Sequence, residues 1–340
     1  MFATTIAGSL PRPDWLAEPE TLKGGWKLEG EELEAGKKRA CEEWIRHQEA
    51  TGIDILTDGE VFRTHFVHSF LEKIDGIDQD KKTLMGIRDN RYDLEVPTVT
   101  RPVSRPVPVF LDDFKYTRSL TDHKLKITLP GPMTICDTIA DDHYGSRPDM
   151  AMAFAELLND EAKELEAAGA DVVQFDEPAF NVFMDDVREW GIDTLNRAVR
   201  GLNCKKAVHI CYGYGIEENI QWKETLGEEW RQYDEIFPPL NKSDVDQVSL
   251  ECASSHVPLS VMSHLSDKEI MVGAVAVTAD RVETPEEVAE TIRQAAQYVD
   301  PERILPCTNC GMTPIAYDIA LAKLQALTAG ATLARKAFQG

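Results

Sequence analysis

Three short clusters in the sequence carry side chains that can hold a borderline-to-soft metal ion. His209-Ile210-Cys211 closes one run of apolar and β-branched residues, Leu250-Glu251-Cys252 closes another, and Cys307-Thr308-Asn309-Cys310-Gly311 continues a third. Alternate residues of a strand face the same way, so His209 and Cys211 point together, whereas Cys252 turns away from Glu251 and into the core. A histidine, a glutamate and two cysteines brought to one place form a ligand set that suits zinc in tetrahedral geometry. Two thiolates and a carboxylate leave such a centre with a net charge of about −1, so a further thiol binds as its thiolate and stays nucleophilic. A free thiol, with a pKa of about 8.5, is mostly protonated at neutral pH, and the metal supplies the missing anion. The chemistry expected is therefore alkylation of a thiol. Each cluster alone has a plainer meaning: two core residues, a redox Cys-x-x-Cys pair, a solvated strand end. Their shared position at strand ends is what joins them into one site.

Those strand ends belong to a repeating pattern. Short β-branched runs at Thr4-Ile6, Ile53-Leu56, Ile127-Leu129, Val172-Phe175, Ala207-Ile210, Gln247-Leu250, Ile270-Val275 and Ile304-Pro306 alternate with longer amphipathic stretches, the signature of βα units around a parallel sheet. Helices are expected after Ser146-Arg147-Pro148, ending at Gly169, and after Thr284-Pro285-Glu286-Glu287, from N-cap, first-turn proline and C-terminal glycine signals. Eight strands predict an α/β protein built as a single (β/α)8 TIM barrel spanning residues 1–340, whose chemistry sits at the C-terminal ends of the strands. A barrel needs about 250 residues; the surplus falls mainly in an insertion of about 62–126, after the second strand. There an Arg88-Asp89-Asn90-Arg91 turn lies among Pro-punctuated extended stretches, including Val96-Val99 and Pro106-Phe110, and predicts a projecting β-hairpin. A smaller surplus lies between Tyr212 and Ser243. Gly213 and Gly215 read as a plain turn, and Asp141-Asp142-His143 as an exposed loop.

Composition narrows the partners. The 340 residues carry a formal net charge of −23 with 43% hydrophobic content, which opposes attraction to nucleic acid or anionic lipid. No basic, apolar leader opens the chain and no stretch is long and uncharged enough to cross a bilayer, so a cytoplasmic protein is expected. Seven cysteines, odd in number and irregularly spaced, predict free thiols or metal ligands rather than disulfides.

Ala7-Gly8-Ser9-Leu10-Pro11, Asp58-Gly59-Glu60, Pro130-Gly131-Pro132-Met133-Thr134, Phe175-Asp176-Glu177-Pro178-Ala179, His209-Ile210-Cys211 and Asn309-Cys310-Gly311 resemble, in order, the motifs of the catalytic half of cobalamin-independent methionine synthase. The resemblance covers nearly the whole chain. It implies a zinc-dependent homocysteine S-methyltransferase of amino-acid biosynthesis, with His209, Cys211, Glu251 and Cys310 as metal ligands, so that Cys310 and not Cys307 is the late ligand. It implies further that Gly8, Ser9, Glu60 and Asp176 hold homocysteine, the two acids facing its ammonium group. Attack of a zinc-held thiolate on the methyl donor then forms methionine, with no general base beyond the zinc site.

The sequence departs from that family in three places. It matches only the catalytic half. Where a folate-stacking tryptophan is expected it reads Ile135-Cys136-Asp137-Thr138, and where an Asp-x-His segment is expected it reads Ala276-Val277-Thr278. In this it is similar to the short, folate-independent methionine synthases, which implies homocysteine and a methyl donor as partners, the donor being methyl-folate or one supplied by a companion protein. Two alternatives stand beside this reading. One is a related methyltransferase acting on another thiol of the coenzyme M type with a methyl-corrinoid donor, for which a sulfonate-bearing substrate calls for cations where Glu60 and Asp176 stand. The other is a non-catalytic zinc-binding accessory subunit.

Overall fold

The computed structural model describes residues 1–18, 25–277 and 281–339. Thr278, the last residue of the Ala276-Val277-Thr278 departure, lies outside the described residues. Among them the chain forms ten strands: β1 (Ile55–Thr57), β2 (Asp75–Ile87), β3 (Tyr92–Ser104), β4 (Lys124–Pro130), β5 (Ala140–Asp141), β6 (Val172–Asp176), β7 (Lys205–Ile210), β8 (Gln247–Glu251), β9 (Glu269–Val275) and β10 (Ile304–Thr308). Seven of them make one curled parallel sheet in the order β1-β4-β6-β7-β8-β9-β10, an α/β arrangement of the TIM-barrel type. Every residue of β6, β8 and β10 is buried, as a parallel sheet covered on both faces requires, including the polar side chains of Gln174, Asp176, Gln247, Ser249 and Glu251. The N-terminal segment touches both edges of the curl. Thr5 bridges Ile55 in parallel, and its N–H donates to Pro306 O at 3.1 Å.

The helices that pack on the sheet begin and end where their caps place them. Ser146 Oγ accepts the N–H of Asp149, opening the helix Arg147–Ala167, and Gly169 follows it at φ +100°. Thr284 and Glu287 form a reciprocal capping box at the helix Pro285–Ala295. The main core lies between sheet and helices. A smaller one, made of Ala7, Ile55, Val172, Ala207, Met271, Leu305 and Cys307, fills the concave side of the sheet. The buried ammonium of Lys126 also lies within the curl, donating to Ile6 O and, at 2.8 Å, to Gln174 Oε1.

β2 and β3 pair antiparallel between Asp75 and Ser104, and the short β5 adds to β3. Their turn is made by Arg88, Asp89 and Asn90, all left-handed at φ +53°, +57° and +61°. The stretch Pro106–Phe110 is not extended strand, contrary to its proline punctuation. The N–H groups of Val109 and Phe110 both donate to the buried carboxylate of Glu161, at 2.9 and 2.7 Å, and the chain turns directly into the helix Leu111–Arg118. A charged acceptor in the interior outweighs a ladder that a proline-rich segment could only half complete. The residues between β7 and β8 form two helices, Glu217–Glu224 and Gln232–Asn241. No helix among the described residues is long and apolar enough to cross a membrane.

Candidate metal centre and substrate cleft

The C-terminal ends of the sheet strands open into a cleft. Gly8, Glu60, Asp176, His209, Cys211 and Cys310 all line it, so six of the eight residues singled out in the sequence meet there. His209 is the penultimate residue of β7, Cys211 follows the strand directly, and Cys310 lies two residues beyond β10. The ligand atoms of His209, Cys211 and Cys310 lie within 4.8 Å of one another and all three residues are buried. Cys211 Sγ and Cys310 Sγ are 3.2 Å apart. The register shift between Cys307 and Thr308, where β10 slips against β9, separates the two cysteines of the Cys-x-x-Cys spacing. Cys307 stays in the apolar cluster on the concave side of the sheet, and Cys310 turns to Cys211.

Asn309 holds this late loop in place. Its Oδ1 accepts from the N–H groups of Cys252 and Ala253, and its Nδ2 donates to Ala253 O at 2.7 Å. Only glycine fits at 273, since a Cβ there would stand 2.3 Å from Asn309 Oδ1.

The histidine is set up in the same way. Ser249 Oγ lies 2.8 Å from His209 Nδ1, while Nε2 is buried with no hydrogen-bond partner of acceptable geometry. Burial lowers the His209 imidazole, but the adjacent Cys211 sulfur outweighs it and holds the ring above the usual histidine range. The two sulfurs are within hydrogen-bond distance, and either can be the donor. The hydrogen bond from Cys310, with His209 acting in the same direction, pulls Cys211 well below the usual thiol range against the effect of burial, and Cys310 is pushed well above it. Two cysteine sulfurs and one imidazole nitrogen, buried within 4.8 Å of one another, form a donor set that fits a divalent, thiophilic cation.

Glu251 does not join the cluster. Its Oε1 accepts from Lys223 Nζ at 2.8 Å and its Oε2 from the Tyr212 N–H at 3.1 Å. Burial raises its carboxyl above the usual range, with Lys223 opposing.

Glu60 and Asp176 line the cleft together, and Glu60 is also paired with the buried Arg63, whose Nη1 lies 3.9 Å from its Oε1. Glu60, at φ +57°, follows Gly59 at +64°, and the turn is tied by the Asp58 carboxylate, which accepts the Glu60 N–H at 2.9 Å. A non-glycine residue held left-handed beside a cleft is the kind of local strain that functional sites retain. The Glu60 carboxylate accepts from Thr128 Oγ1 at 2.7 Å. Asp176 Oδ1 accepts from Gln174 Nε2 at 2.8 Å, and Gln174 in turn is held by Lys126. Burial, with Glu60 adding and His209 and Arg63 opposing, pushes the Asp176 carboxyl up to about 7. Ser9 is buried behind Gly8 and packs against Gly311, where a Cβ would stand 2.4 Å from Ser9 Oγ.

The neighbouring Glu177 faces away from the cleft. Its carboxylate accepts from the N–H groups of Met133 and Thr134 and from Thr134 Oγ1, between 2.7 and 3.0 Å, and so caps the short helix Pro132–Cys136.

Several cleft residues were not singled out in the sequence. Arg88 and Arg91, from the turn between β2 and β3, also line the cleft. Arg88 forms a buried ion pair with Asp137, and Arg91 lies 3.3 Å over the ring of Trp222 and donates to Asn219 Oδ1 at 2.9 Å. Phe66 and Tyr214 stand edge to face nearby. The one sequence signal for this roof was the Arg-Asp-Asn-Arg turn, whose asparagine tolerates the left-handed conformation.

The family model for the catalytic domain of cobalamin-independent synthases matches residues 2–332. A methionine synthase from Sulfurisphaera tokodaii is 32% identical over 340 residues, covering 99% of this chain and 93% of its own length. One from Saccharolobus solfataricus is also 32% identical, covering 99% and 96%. The structure of a B12-independent methionine synthase from Shewanella sp. W3-18-1, in complex with selenomethionine, superposes with a TM-score of 0.97 at 55% identity, covering 100% of this chain and 99% of that one. A Listeria monocytogenes structure at 19% identity and a TM-score of 0.69 shares the fold. Because the match runs from the first bridging segment to the last helix, the chain belongs to the cobalamin-independent methionine synthase family, through its catalytic domain.

Proposed function

We propose that this chain methylates homocysteine to methionine at a zinc ion held by His209, Cys211 and Cys310, with Glu251 as the fourth ligand. The single observation that carries the reading is the buried three-donor cluster of His209, Cys211 and Cys310 in a cleft that Glu60 and Asp176 also line. Bound there, zinc would keep the substrate sulfur as a thiolate at neutral pH, ready to take a methyl group.

The protein's own part is to bind and orient. Glu60 and Asp176 hold the ammonium group of homocysteine, and Gly8 and Ser9 receive its carboxylate end. Phe66, Tyr214, Arg91 and Trp222 narrow the cleft above and keep water from the sulfur. No side chain is needed to remove a proton once the thiol is ionised. We read the donor as one other than free methyl-folate: in the segment where the family's folate-stacking tryptophan is absent, Asp137 is engaged by Arg88 of the β2–β3 turn. The finer architecture follows the same reading. Residues 1–340 form one domain, a (β/α)8 barrel closed by Thr4–Ile6, with β2–β3 as its insertion, working in the cytoplasm.

Cys211→Ser and Cys310→Ser test the centre. Zinc content by elemental analysis is expected to fall from about one per chain to a small fraction, and methionine formation with it. Turnover retained by a zinc-free variant overturns the reading.

A further inference from the structure

Glu251 is the one expected ligand that the buried cluster leaves out, and the reason lies 28 residues earlier in the chain. Lys223, on the helix Glu217–Glu224, donates to Glu251 Oε1 with both side chains buried, at 7% and 2% exposure. The other carboxylate oxygen takes the N–H of Tyr212, the residue after Cys211. The glutamate is therefore anchored on the metal side of the chain and neutralised from the opposite side. The one other charged-group contact of Lys223 among the described residues is with the face of Trp230, 5.6 Å from its centroid. Ile220, Lys223, Glu224, Trp230, Glu251 and His256 line a separate cleft on this outer side, distinct from the substrate cleft.

A carboxylate this deeply buried needs a cation, and two compete for it: the ammonium already in contact and a metal ion between the cysteines and His209. The charge count makes the competition consequential. Two thiolates neutralise a divalent ion, a substrate thiolate then brings the centre to about −1, and Glu251 added on top brings it to about −2. Without Lys223, substrate sulfur and Glu251 would contend for the same position with nothing to draw the glutamate away.

We propose that Lys223 is a positioning residue that draws Glu251 off the metal, so that one coordination place is free for the incoming thiol. Glu251 moves between two cations, its Oε2 pivoting on the Tyr212 N–H, and Lys223 receives it when substrate enters. This rests on the zinc reading above.

Zinc K-edge X-ray absorption on the zinc-loaded full-length chain, with and without homocysteine, tests it, together with the rate of zinc release to a colorimetric chelator. In the native protein homocysteine is expected to add a third sulfur to the zinc shell. In Lys223→Met the glutamate stays on the metal. Added homocysteine then binds about tenfold more weakly, a third sulfur is missing at the same concentration, and zinc is released about tenfold more slowly. Lys223→Arg restores native values. Lys223→Gln, which keeps a donor but no charge, gives the same result as Met and serves if the Met variant does not fold. A third sulfur and a homocysteine affinity unchanged in the Met or Gln variant overturn the proposal. A native protein that shows no sulfur-ligated zinc overturns the zinc reading itself, so the two failures are separable.

Discussion

Replacing Asp176 by asparagine probes whether Glu60 and Asp176 grip the amino group of the substrate. The substitution keeps the shape and keeps an oxygen to accept from Gln174 Nε2, now 2.8 Å away, but removes the charge that this carboxyl, pushed up to about 7, carries in an assay at about pH 8. Asp176 and Glu60 are 7% and 6% exposed, so an ammonium group between them would be largely desolvated. A hydrogen bond to a charged group contributes about 1.5–3 kcal/mol. With Glu60 still present the loss belongs in the lower half of that range, about 2 kcal/mol, which is about 30-fold in affinity. Calorimetric titration of the zinc-loaded protein with homocysteine measures this without reference to the methyl donor. The decisive control is 4-mercaptobutanoate, which has the same sulfur, chain length and carboxylate but no amine. Its affinity is expected to change by less than about threefold in the variant. Equal losses for the two thiols would refute the assignment, because Asp176 would then be acting through the metal or the fold.

Two further substitutions test the scaffold. Gly131→Ala, at an ordinary φ of −79°, would place a Cβ 2.1 Å from the Glu177 carboxyl carbon and break up the three hydrogen bonds that carboxylate accepts. A loss of about 3 kcal/mol or more in urea unfolding is expected, and an unchanged midpoint would contradict the close packing of β4 and β6 ends. Burial, with Asp58 adding, pushes the Asp113 carboxyl up to about 6 from 3.8. A raised carboxyl is protonated more readily in the folded than in the unfolded state, so stability falls as pH rises from about 4 to about 6 and is flat above. Asp113→Asn is therefore expected to stabilise the protein at pH 8 by up to about 3 kcal/mol and to have little effect near pH 4. Unfolding midpoints at the two pH values check the sign.

The elements that position the site were legible because each carries a local physical signal. Alternation along β7 put His209 and Cys211 on one side, and the structure brings both into the cleft. Ser146 and Thr284 announced two helices through capping chemistry alone. What spacing could not decide was the choice between Cys307 and Cys310. That depends on the slip of β10 against β9, a packing event between strands that no single segment encodes. Nor could the sequence show that Glu251 is engaged by Lys223, because the partner lies on a helix in the stretch between Tyr212 and Ser243 that carried no motif. The stretch Pro106–Phe110 misled for a related reason. Its local preference for extended backbone yielded to Glu161, over fifty residues away.

The helix Glu217–Glu224 carries Asn219 and Trp222, which meet Arg91 of the β2–β3 turn, and Lys223, which grips Glu251. A rod of eight residues is too short to bend between these positions. The tip of the hairpin and the buried glutamate are therefore held by one and the same helix, four residues apart along it, so a displacement of either is carried to the other.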